Sequence, residues 1–151
     1  MKPVYHYTTG DRLIPIFESG QIHPATAGVN PPEIPAVWLS VAPQWERTAS
    51  KGLIGNGEFR TASMQEMIER TGSLCRLRID PTAVSLIWPP KLREILKIGK
   101  TSLGGLLSSA RKVGANPSDW RAVAGPIPVE AILSIELTKE WDPLVWAIID
   151  P

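Results

Sequence analysis

Apolar positions along the chain fall into short periodic stretches separated by proline- and glycine-rich punctuation. Lys2 to Thr8 alternates around Val4, Tyr5, His6 and Tyr7 at the two-residue period of a strand. Thr8-Thr9-Gly10-Asp11 then offers capping side chains for a helix over Arg12 to Ser19. Leu13, Ile16 and Phe17 have helical spacing there, and Gly20 supplies the stop. Ile22-His23-Pro24 reads as a brief extended return, and residues 25–35, rich in Pro, Gly and Asn, read as a loop. Ala36-Val37-Trp38-Leu39-Ser40-Val41 predicts a buried strand. Pro43 at a first helical turn predicts a helix running to about Lys51. Residues 52–61, with three glycines, read as a mobile connection, and Ala62 to Arg70 predicts a helix closed by Thr71-Gly72.

The second half is more strongly β. Leu74 to Ile79 alternates and ends at Asp80-Pro81, while Ala83 to Trp88 fits either a strand or a turn. Helices are predicted near Lys91–Lys97 and over Leu103–Lys112, both with basic outer faces. Trp120 to Ala124 and Leu133 to Thr138 read as strands, and Val145 to Ile149 as a last edge strand. Short strands and helices in irregular order, without βαβ alternation, predict an α+β layer arrangement and not a doubly wound sheet. Neither a repeat nor a long linker marks a second domain, so residues 1–151 read as one domain.

Composition narrows the function classes. Apolar residues make up 43% and charged residues 21%, a globular balance, and 16 basic against 15 acidic residues give a net charge of +1. That charge provides no bulk attraction to nucleic acid or anionic membrane, although residues 75–112 tilt basic. Cys75 is the single cysteine, which excludes an intrachain disulfide. The start lacks the apolar stretch of a signal peptide, and the run Ala83–Trp88 falls far short of the ~20 residues that span a bilayer. A soluble, cytoplasmic protein is the expectation. No phosphate-cradling Gly-Lys-Ser/Thr loop, Gly-x-Gly-x-x-Gly turn or Gly-x-Ser-x-Gly elbow occurs. With two scattered histidines and one cysteine, a metal site is not expected.

One spaced set of residues carries chemistry. Tyr5-His6-Tyr7-Thr8 leads into Leu13 to Ile22, which contains Phe17-Glu18-Ser19-Gly20-Gln21-Ile22. Val37-Trp38-Leu39-Ser40 follows, then Trp120-Arg121, then Pro126 to Ile132 with Glu130. The order resembles the ADP-ribosyltransferase-like superfamily, well over the first 45 residues or so and loosely over 118–137. The resemblance implies split, mostly antiparallel sheets with flanking helices around an NAD-type cleft. It implies NAD as substrate and a macromolecular acceptor, protein or nucleic acid.

By the same resemblance His6 binds ribose hydroxyls, with Tyr7 and Thr8 beside it, and Ser40 lines the nicotinamide pocket. Trp38 or Tyr7 supplies a stacking face, and Glu130 is the catalytic carboxylate. Other readings stay open at several positions. Trp38 between Val37 and Leu39 also fits the core, although it shares a strand face with Ser40. Glu130 also fits a surface turn. Glu136 is a competing glutamate that alternation places on the wet side of its strand. Arg12 and Arg47 fit either pyrophosphate contacts or solvated charges, and Gln44-Trp45-Glu46 sits where a segment covers the cleft. The chain departs from the pattern of several branches. The tyrosine pair after the second strand, a Glu/Gln-x-Glu motif and the histidine–arginine set of the RNA 2'-phosphotransferases are missing or incomplete. A non-catalytic binding or inhibitor protein on this fold, of phage or plasmid type, is therefore the alternative. Its recognition surface would be the 25–35 loop and the basic 91–112 region.

Overall fold

A computed structural model describes residues 2–149. It is an α+β arrangement built on a six-stranded sheet in the order β10-β9-β6-β1-β3-β7, with every strand pair antiparallel. The strands are β1 (Val4–Thr9), β3 (Ala36–Ser40), β6 (Leu74–Ile79), β7 (Trp120–Ala124), β9 (Ile132–Thr138) and β10 (Ala147–Ile149). Two small ribbons accompany the sheet: β2 (Gln21–Ile22) with β8 (Ile127–Pro128), and the hairpin β4 (Gly52–Gly55) with β5 (Glu58–Thr61). The helices are α1 (Leu13–Ser19), α2 (Met64–Thr71), α3 (Pro89–Leu96) and α4 (Lys100–Val113). None is long and apolar enough to cross a membrane.

Local chemistry accounts for these elements. Gly20 ends α1 at φ 78°, its N–H donating to the Ile16 carbonyl. Ser63 and Glu66 close a capping box at the start of α2. Pro89 and Pro90 occupy the first turn of α3, where no N–H is needed. Apolar side chains then divide among three clusters. Val4, Leu39, Leu77, Ile79, Ile127 and Ile135 fill one sheet face together with Ile16 of α1. Tyr5, Tyr7, Trp45, Met67 and Leu74 fill the other under α2. Leu92, Leu96, Ala110, Trp120 and Ala122 join α3 and α4 to β7.

Two expectations are corrected, and one left open is resolved. Residues 43–51 form bends and a single 3-10 turn at Arg47–Ala49 instead of a helix. The side chains of Trp45 and Glu46 turn inward there and become buried. Residues 52–61 form a hairpin turning at Asn56-Gly57, both with positive φ (52° and 74°). Residues 83–88 are a turn whose Ile87 bridges to Ala122 on the free edge of β7.

Candidate functional site

The sheet is interrupted between β1 and β3. β1 pairs with β6 through six consecutive residues, and β3 with β7 through four, but β1 and β3 share only Tyr5↔Ser40. Beyond that pair the strands part, and a cleft of about 670 Å³ occupies the opening. Because the sheet is open, residues from both of its faces line the cleft. His6, Thr8, Ile16 and Ile22 come from one face, and Ser40, Glu46, Thr48 and Ser50 from the other. Arg12 and Lys51 are exposed cations within the same lining, against a single carboxylate among the described residues, that of Glu46.

His6 sits at the point of division. Its ring Nδ1–H donates to the Trp38 carbonyl at 3.0 Å, so the histidine bridges strands that no longer pair by backbone. A carbonyl only accepts, so the bond fixes the tautomer and leaves Nε2 as an acceptor on the cleft wall. Burial lowers the His6 pKa, against the Trp38 bond and with help from the Lys51 charge. The ring is therefore neutral at pH 7.

Ser40 is fully buried, and its hydroxyl donates to Glu46 Oε1 at 2.8 Å while accepting from Ala42 N–H at 3.0 Å. Glu46 Oε2 accepts from the Thr48 N–H at 3.1 Å and from the Thr48 hydroxyl. The carboxylate is 7% exposed and forms no ion pair among the described residues. Trp38 is half-buried and meets Trp120 edge-to-face at 6.0 Å, so it serves as both packing and cleft wall. Thr8 is buried and lines the cleft.

Tyr7 also borders the cleft, but its ring packs against Trp45 and Trp146 and its hydroxyl donates to the Ala42 carbonyl. Burial pushes its pKa up to about 12. The remaining expected residues lie elsewhere. Glu130 lies on the exposed 3-10 turn Val129–Ala131, outside the residues that line the cleft. Glu136 is buried rather than wet. Its Oε1 accepts from Arg76 Nη2 at 2.9 Å on the face covered by Tyr5 and Trp146. Arg47 reaches the Val113 carbonyl at the end of α4 at 3.4 Å. Cys75 lies in the core, where burial raises the thiol to about 12, so it offers no thiolate.

Glu46 is the residue whose role the sequence concealed. Its signal was slight: a carboxylate two residues before a threonine, able to cap a turn. Among the described residues no group of three His, Cys, Asp or Glu side chains is arranged to hold a metal ion. Comparison with known proteins adds no assignment: no family model, curated protein or solved structure matches this chain.

Proposed function

We propose that the cleft binds NAD and that the protein transfers ADP-ribose from it to a macromolecular acceptor. The observation that carries this reading is His6: a neutral imidazole, fixed through Nδ1 at the division of the sheet, offering Nε2 as an acceptor to a cleft large enough for a nucleotide. A ribose hydroxyl is the fitting donor. Arg12 and Lys51 supply positive charge for a pyrophosphate, and Trp38 an apolar wall for nicotinamide.

In the transfer, the bond between the ribose anomeric carbon and the nicotinamide nitrogen breaks. Nicotinamide leaves with the electron pair, and the acceptor's nucleophile closes the new bond at the same carbon. The transition state carries positive charge on the ribose, which a nearby carboxylate stabilises. With Glu130 on an exposed turn, Glu46 takes this role, oriented by the Ser40 and Thr48 hydroxyls. Ser40 thereby becomes a positioning residue.

The same hydrogen bonds favour a second reading. Glu46 already accepts from three donors, which suits a nucleotide-binding protein that does not turn NAD over. Two measurements separate the readings. NAD at 100 times its dissociation constant adds about 2.7 kcal/mol of stability under both. Release of nicotinamide, with label from NAD appearing on macromolecules of a cell lysate, occurs only under the first. An unchanged melting temperature in saturating NAD overturns both.

A further inference from the structure

Two arginines of this protein are buried on the sheet, Arg76 at 8% exposure and Arg121 at 7%. Arg76 has a carboxylate, Glu136, at 2.9 Å. Arg121 has none. Its Nη1 donates to two carbonyls, Ser118 at 3.0 Å and Trp120 at 2.7 Å, and its guanidinium carbon lies 3.7 Å from the centroid of the Trp88 ring. Asp119 is close enough for Arg121 to feel its charge, yet forms no ion pair with it. Burial pulls the Arg121 pKa down, and the Asp119 charge offsets this only in part. A buried charge left unpaired is costly, so an arginine held by carbonyls alone gains from an anion placed beside it.

The space beside this arginine is a second cavity of about 340 Å³, lined by Lys2, Val4, Val41, Leu86, Trp88 and Arg121. It shares no residue with the His6 cleft. Among the described residues the lining carries two cations and no acidic side chain. Its other walls are aliphatic, closed by an indole that is 50% exposed. Neither Nε nor Nη2 of Arg121 has a protein partner among the described residues, and neither is sealed from solvent. They are the two donors that a guanidinium directs together at a planar anion.

We propose that this cavity is a binding site for a small organic carboxylate with a flat apolar body, its carboxylate paired with Arg121 and Lys2 and its body on Trp88, Val41 and Leu86. The site is independent of the NAD cleft and survives if that reading fails. Phosphate, being tetrahedral with no apolar part, leaves the aliphatic walls unused.

The probes are benzoate, its neutral isostere benzamide, and inorganic phosphate, titrated into the full chain by calorimetry and followed in parallel by Trp fluorescence. Benzoate is expected to saturate, with benzamide and phosphate each about tenfold weaker or worse. Arg121→Met should weaken benzoate about tenfold or more, and Lys2→Gln less. Without ligand, Arg121→Met should melt no lower than the wild type, because it removes an unpaired buried charge, whereas a purely structural arginine would be missed. Equal binding of benzoate and benzamide overturns the proposal, as does benzoate affinity indifferent to both substitutions. Preference for phosphate overturns the carboxylate assignment. If Arg121→Met does not fold, Lys2→Gln and the benzoate–benzamide ratio decide.

Discussion

Two buried glutamates, Glu136 and Glu46, define two regions of opposite character. Glu136 meets a full counter-charge: Arg76 donates to it, to the Pro43 carbonyl and to the Tyr7 hydroxyl, with its guanidinium between the rings of Tyr5 and Trp146. Glu46 meets only hydroxyls and one amide N–H, and it borders the cleft. Charge that is neutralised inside the protein holds the fold together and has nothing left to offer. A carboxylate oriented by neutral donors has no counter-charge spent on it within the fold. Burial alone does not separate the two, since each glutamate is 7% exposed. The identity of the partners does.

The largest effect expected from breaking this contrast is on stability. Glu136→Gln strands the Arg76 charge and should cost about 3–5 kcal/mol in urea unfolding, while Arg76→Met combined with Glu136→Leu should recover most of it. Glu46→Gln should leave the protein folded, with a loss near 1 kcal/mol from the weakened turn cap, and reduce nicotinamide release about 100-fold or more. A loss of stability as large as that of Glu136→Gln would erase the distinction.

His6 should give the cleft a dependence on pH. Above 6.5 the ring is neutral in both folded and unfolded chains, and stability is level. As pH falls below 6.5 the unfolded chain takes up the proton first, because the folded ring resists it, so stability declines with falling pH. Protonation of the folded ring, which comes at lower pH still, also removes the Nε2 acceptor, so NAD should begin to bind more weakly only at the acid end of that decline. His6→Asn should abolish that component of both slopes, measured as melting temperature and affinity against pH. The smallest effect belongs to Glu130→Ala, within about 0.5 kcal/mol of wild type and without change in nicotinamide release. A loss of release there would return the catalytic role to Glu130.

Much of the framework was legible because its signals are local. β1, β3, β6, β7 and α1 follow from alternation, helical spacing and a glycine stop at Gly20. The hairpin at 52–61 was legible too, since Asn56-Gly57 is the dipeptide that a tight hairpin turn favours, but the glycines around it read as looseness. Other features had no local signal. Glu136 alternates with Ile135 as an outward residue should, and only its neighbour across the ladder, Arg76, with rings packed over that pair, makes the position an interior one. The inward turn of Trp45 and Glu46 likewise depends on distant contacts, with Ser40 and with the aromatic face. The position of His6 on a strand is local, but its place at the break between β1 and β3 depends on Trp38, 32 residues further along the chain.

Strand order also bears on how the site comes into being during synthesis. β1 emerges early, yet its neighbours in the sheet are β3 and, after about a quarter of the chain more, β6, which is itself flanked by β9 from near the end. The strand carrying His6 therefore waits with an unpaired edge until β6, near the middle of the sequence, has been translated, and nonlocal pairing of this kind folds slowly. An exposed edge is also where nascent chains aggregate. Nascent chains halted before β6 should need chaperone protection, and the binding surface should arise only in the last stage of folding.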